Sequence, residues 1–101
     1  MRNVAEQEDF IARTIVQAVQ HYSGGNQIVV AVEELSELQK ELCKTLRGED
    51  RRKEIIEELA DVSFMLPQIY AIFDITPEDV HKVEYAKAQR LAARIKAEAE
   101  E

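Results

Sequence analysis

The chain has 101 residues, of which 33% are charged and 46% apolar, and its formal net charge is −7. That length points to one domain, residues 1–101, with a modest core, and the apolar share excludes a disordered composition. The acidic balance argues against a nucleic-acid surface, which needs a basic excess to displace counterions, and no apolar stretch approaches the roughly 20 residues of a membrane span.

In chain order the sequence reads as four helices. The first is expected from about Val4 to Tyr22, on an apolar stripe of Phe10, Ile11, Ile15, Val16 and Val19. SGGN, Ser23 to Asn26, breaks it, with Asn26 as the expected cap of the next helix. The second helix is expected from about Gln27 to Arg47. Its opening IVVAV is β-branched and reads as strand on local propensity, but EELSELQKELCKTL comes next with no turn signal, so helix is preferred. Gly48 suits the C′ position beyond it. The third helix is expected from about Asp50 to Phe73, kinked at Pro67. DITPED then gives a start signal: Thr76 as N-cap, Pro77 at N1 and Asp79 at N3 in a capping box. The fourth helix runs from Pro77, and the closing KAEAEE is expected to fray. The expected fold class is therefore all-α, a four-helix, bundle-like domain that gains stability by oligomerising.

Cys43 is the only cysteine, so no internal disulfide can form. A reducing, cytoplasmic setting is expected, and MRNVAEQEDF shows no hydrophobic signal core. Cys43 itself, near the border of the second helix's apolar side, is expected as a buried, inert thiol.

Two phrases repeat: EELSEL from Glu33 and EELADV from Glu57. Glu34 and Glu37 are three residues apart on one helix, and Glu58 and Asp61 on the next. On the second helix the acids Glu33, Glu34, Glu37 and Glu41 oppose Leu35, Leu38, Leu42 and Leu46, so a solvated acidic face is an adequate account of that helix alone. On the third helix, Glu58 and Asp61 fall within a sector bordered by Val62, Phe64, Met65 and Ile72. Carboxylates there are costly unless they are paired or bind a cation. Two antiparallel neighbours can bring the pairs face to face. An all-oxygen, anionic set suits Mg²⁺ or Mn²⁺ rather than Zn²⁺, and Mg²⁺ sites of this kind commonly serve phosphate chemistry.

Glu33-Glu34-x-x-Glu37 followed by Glu58-x-x-Asp61, within NQIVVAVEELSELQKEL and IIEELADVSFML, resembles the paired motif of MazG-like nucleoside triphosphate pyrophosphohydrolases. These belong to the all-α NTP pyrophosphatase superfamily, with dimeric dUTPases and phosphoribosyl-ATP pyrophosphohydrolases. The resemblance spans about Asn26 to Arg94. It implies a homo-dimeric or tetrameric helical bundle and Mg²⁺-dependent cleavage between the α and β phosphates of a nucleoside triphosphate, giving the monophosphate and pyrophosphate. It also implies Glu34, Glu37, Glu58 and Asp61 as metal ligands and Glu33 as a supporting residue behind them; a carboxylate of the cluster can take the proton of a metal-bound water, with Glu37 as first candidate and Glu34 beside it as the catalytic carboxylates.

Pyrophosphate leaves with negative charge, so cations should face it. Lys87, Arg90 and Arg94 share a face of the fourth helix, and Lys40 and Lys44 flank the acids of the second. All five have an ordinary alternative as solvated ion-pair partners. For the base, the resemblance implies a wall from the first helix and the start of the second. There Gln27 is a candidate edge contact, and Phe10 and Tyr22 are candidate stackers, with Phe10 equally suited to a core. The chain has no Trp on which a base could stack. Glu78-x-x-His81 has the spacing of a di-iron ligand pair, but such sites need two of them and His21 has no matching acid. The alternatives to the leading reading are a relative resembling the phosphoribosyl-ATP or dUTP enzymes, and a non-enzymatic helical oligomerisation or adaptor module.

Overall fold

The computed structural model describes residues 3–100, and the described chain is all-helical. α1 is Val4–His21, α2 Gly24–Leu46, α3 Arg52–Ile72 and α4 Pro77–Ala99. All four expected helices are present, and IVVAV is helical. Its β-branched preference yields to the α-helical periodicity of the adjoining EELSELQKEL segment.

The helix ends explain the boundaries. Ser23, in extended backbone, caps α2 by accepting the Asn26 N–H at 3.2 Å. The cap is thus three residues earlier than Asn26, and Gly24 and Gly25 lie inside the helix. At its other end Gly48 adopts φ +90°, the Gly48 N–H donates to the Thr45 carbonyl and the Glu49 N–H to the Lys44 carbonyl. This is a Schellman closure with glycine in the left-handed C′ position, as expected. α3 ends in the same way, but with Asp74 at φ 53° in the glycine position and the Ile75 N–H donating to the Tyr70 carbonyl at 2.8 Å. α3 continues as helix through Pro67. The Thr76–Asp79 capping box is complete, at 3.0 and 3.1 Å. α4 is helical to Ala99, and so includes Lys96–Glu98 of the closing segment; Glu101 lies outside the described residues.

Packing is uneven. α2 and α3 form an antiparallel hairpin, α1 lies against α3, and α4 packs only sparsely on the rest. A Cβ on Gly24 would stand 3.5 Å from Ile72, so the start of α2 lies beside the end of α3. The radius of gyration is 17.4 Å, against roughly 13 Å for a compact domain of this length. Only Ala31 and Met65 are buried among the described apolar residues. Three of the four α2 leucines are not core: Leu35 and Leu42 are half exposed and Leu46 is 87% exposed, whereas Leu38 is half-buried. The face of α2 turned to α3 is instead the one carrying Gln27, Ala31 and Glu41. Among the described residues no helix is long and apolar enough to cross a membrane.

Candidate metal centre

The two acidic phrases meet across the α2–α3 hairpin. Glu34 from α2 and Glu58 and Asp61 from α3 each offer a carboxylate oxygen, and the three oxygens lie within 4.8 Å of one another. Glu34 and Glu58 are partly buried and Asp61 is exposed, so the cluster has a dry side and an open side. Glu58 Oε2 is buried and has no hydrogen-bond partner among the described residues.

Burial lifts the Glu34 carboxyl above the usual carboxylate range, reinforced by its hydrogen bond to Asp61 and the charges of Asp61, Glu58 and Glu33. Burial also lifts Glu58, with Asp61, Glu37 and Glu41 adding like charge. Crowded carboxylates that resist ionisation gain most from a cation. The donors are all hard oxygens, which fits Mg²⁺ or Mn²⁺, and the orphaned Glu58 oxygen is the atom most in need of one.

Glu37, the fourth expected ligand, is exposed and outside the three-oxygen group, though close enough for its charge to act on Glu58. Glu33 is exposed and acts on Glu34 by charge. Glu41, one turn beyond Glu37, is buried and committed elsewhere. Its carboxylate accepts from Arg51 Nε at 2.7 Å and pairs with Lys44 Nζ at 3.4 Å. The Arg51 hydrogen bond holds Glu41 below the usual carboxylate range. Lys44 therefore takes its ion-pair alternative.

A groove of about 510 Å³ opens beside the cluster. Glu34 and Asp61 border it, and Tyr22, Val30, Phe64 and Met65 give it apolar and aromatic walls. Gln27 and Gln68 also line it, 7% and 1% exposed, joined by a hydrogen bond from Gln27 Nε2 to Gln68 Oε1. Sequence reasoning named Gln27 and Tyr22 and missed Gln68. The available signal was an amide in an apolar run, seven residues after Asp61 just as Gln27 precedes Glu34 by seven.

The structure does not bring the other candidates to this groove. Phe10 is half exposed on α1 and lines no part of it, and neither Lys40, Lys87, Arg90 nor Arg94 does. Lys87, Arg90 and Arg94 are carried by α4, which packs too little to present them; Arg94 pairs with Glu98 at 3.9 Å. Cys43 is exposed, not buried, because α2 turns the side with Gln27, Ala31, Leu38 and Glu41 inward, and Cys43 lies beyond Leu35, Leu42 and Leu46 on the side left open.

No family model matches the chain, and neither a curated protein nor a solved structure matches it.

Proposed function

We propose that the chain is a Mg²⁺-dependent nucleoside triphosphate pyrophosphohydrolase of MazG-like type, cleaving the α–β phosphate bond to release a monophosphate and pyrophosphate. The observation that carries this reading is the convergence of Glu34, Glu58 and Asp61 from two helices, with a buried, unpartnered Glu58 oxygen, at the rim of a groove with aromatic walls. An adaptor with solvated acidic faces gives no reason for Glu34 and Glu58 to be part-buried beside a third carboxylate.

Glu34, Glu58 and Asp61 would hold the cation, and Glu37 stands at their open edge. A bound Mg²⁺ would supply positive charge for the triphosphate and lower the pKa of the attacking water. Glu37 is then the general base: it is solvent-accessible and not tied into the cluster, so it can take the water's proton and pass it to solvent. Glu34 orients the site through its contact with Asp61. The groove holds the nucleoside, and Tyr22 and Phe64 contribute its aromatic surface. Positioning of the water in line with the leaving pyrophosphate accounts for much of the rate in such reactions.

The same reading includes a homo-oligomer. Phe10, Leu42, Leu46, Leu59, Leu91 and Ile95 are exposed on a chain that buries few apolar residues of its own. Water-exposed surface of that kind favours association. A second copy would cover the leucine faces and could return the cations of α4 to the groove of its partner.

The test is pyrophosphate release from ribo- and deoxyribonucleoside triphosphates with and without Mg²⁺, for wild type, Glu37→Gln and Asp61→Asn. Metal-dependent release that falls by roughly 100-fold or more in both variants is expected. Absence of release from every triphosphate by the folded wild-type protein would reject the hydrolase reading.

A further inference from the structure

α2 and α3 are joined by a turn at one end only, the end that the Arg51–Glu41 ion pair also ties. At the other end, where Gly24 lies beside Ile72, no turn links them. Between the two ends stand Glu34, Glu58 and Asp61. Like charges repel, so without a cation this group pushes the two helices apart. Ala31 and Met65 are buried toward the open end, but apolar contact is non-directional and fixes no unique register.

Gln27 and Gln68 supply the missing direction. Both are buried, and Gln27 Nε2 donates to Gln68 Oε1 across the hairpin. Gln68 Nε2 donates in turn to the Phe64 carbonyl at 3.2 Å, which anchors its side chain to α3. The register is shared with the acids. Gln27 stands seven residues before Glu34 on α2, and Gln68 stands seven after Asp61 on α3. The amide pair therefore lies two turns from the acids, about 10 Å along the helices. Glu41 follows Glu34 by the same seven residues, so along α2 the acids are flanked at equal distances by an ion pair and an amide pair. A hydrogen bond holds its partners to within a few tenths of an ångström. A slip of one helix along the other that breaks the amide pair also separates Glu34 from Asp61.

Two leucines here would bury apolar surface without the desolvation cost that buried amides carry. What a buried polar residue adds to a helical interface is register, at some cost in stability. We infer that Gln27 and Gln68 are positioning residues of the metal centre, whose hydrogen bond sets the register of α2 on α3 at the open end and so holds Glu34 opposite Glu58 and Asp61. This inference rests on the reading of those acids as a cation site. Loss of groups that orient metal ligands lowers affinity roughly tenfold or more.

The experiment measures Mn²⁺ affinity, by electron paramagnetic resonance of the free ion, and melting temperature in EDTA. Both are read at pH 7 for wild type and the Gln27→Leu/Gln68→Leu double variant. The double variant is expected to melt no lower than wild type in EDTA and yet to bind Mn²⁺ roughly tenfold or more weakly. A role in packing alone would not give that split. Affinity within about threefold of wild type overturns the inference and leaves the metal centre standing. A fall in melting temperature that accompanies the fall in affinity overturns it too, since loosened packing gives both. No Mn²⁺ binding by wild type rejects the cation-site reading, and the inference with it. Should the double variant fail to fold, Gln68→Met gives the same two readings, because the Gln27 amide that it frees can turn into the groove it lines. Failure of that variant as well would make the pair part of the folding core and overturn the inference.

Discussion

Arg51 reaches back across the α2–α3 connection to place its Nε 2.7 Å from Glu41 Oε2, with the carboxylate buried and Lys44 on its other side. The acidic face of α2 is thereby divided. Glu41 is neutralised by two cations, whereas Glu34 is left among carboxylates. One charge pattern in the sequence thus serves two purposes: it ties the hairpin at the closed end and leaves charge uncompensated where a cation can enter.

Arg51→Met is expected to lower the melting temperature by several degrees at pH 7, because Glu41 would lose its principal donor. Glu41 is held below its ordinary 4.5, so the pair's contribution is full above about that pH and is lost as pH falls through the folded value. The gap between variant and wild type should therefore close in acid. Melting curves from pH 3 to pH 8 would show it, and a gap independent of pH would assign the loss to packing of the arginine stem instead.

Glu58 has the opposite sign. Its folded pKa lies above the ordinary 4.5, so without metal its effect on stability worsens as pH rises from there through the folded value. Glu58→Gln should thus melt higher than wild type at pH 7 in the presence of a chelator, because it removes a charge that Asp61, Glu37 and Glu41 all oppose. A variant that melted lower in chelator would mean that the crowding is relieved in some other way.

Millimolar Mg²⁺ should reverse that order. A cation bound only by the folded chain raises its apparent stability, by about 2.7 kcal/mol at a hundredfold excess over Kd. The increment should grow with pH as Glu34 and Glu58 ionise, and Glu58→Gln should lose most of it. Thermal melts with and without Mg²⁺ at pH 5 and pH 8 measure both effects. A wild-type protein whose melting is indifferent to Mg²⁺ and Mn²⁺ at either pH would count against the metal centre.

Asp74→Gly should stabilise the chain by about 0.5–1 kcal/mol, since the aspartate occupies a left-handed position at φ 53° that glycine adopts without steric cost. Chemical denaturation gives the number. Destabilisation would indicate that the Asp74 side chain contributes more than its backbone costs.

Thr76→Ala removes one half of the capping box and should weaken the first turn of α4 by about 1 kcal/mol. Because α4 packs sparsely, the loss should appear as faster amide exchange at Asp79 and Val80 and not as an equal fall in global stability. An undiminished protection there would show that the helix start is held by other contacts.

The helices were legible because their punctuation is local. Gly48 and the Thr76–Pro77–Asp79 group act within a few residues, and their geometry is as read. The start of α2 was less so, since Ser23 and Asn26 are both good caps and two glycines between them resemble a loop. The convergence of Glu34, Glu58 and Asp61 followed from helical spacing and an antiparallel pairing. What could not be read was the face that α2 turns inward. Its leucines form the stronger apolar stripe, yet tertiary pairing selects the side with Gln27, Ala31, Leu38 and Glu41, leaves Leu35, Leu42 and Leu46 outside, and exposes Cys43. Gln68 was invisible for a related reason: a lone amide acquires meaning only when Gln27 arrives opposite it.

The equal seven-residue spacing on α2 and α3 makes the hairpin a ruler. Its graduations are backbone hydrogen bonds, so the distance from the carboxyls to the amides cannot drift by a fraction of a turn. Deleting one residue between Gln27 and Glu34 would swing Gln27 by about 100° and leave the acids in place. Length variation should therefore be far better tolerated in the turn after Leu46 than within either measured interval.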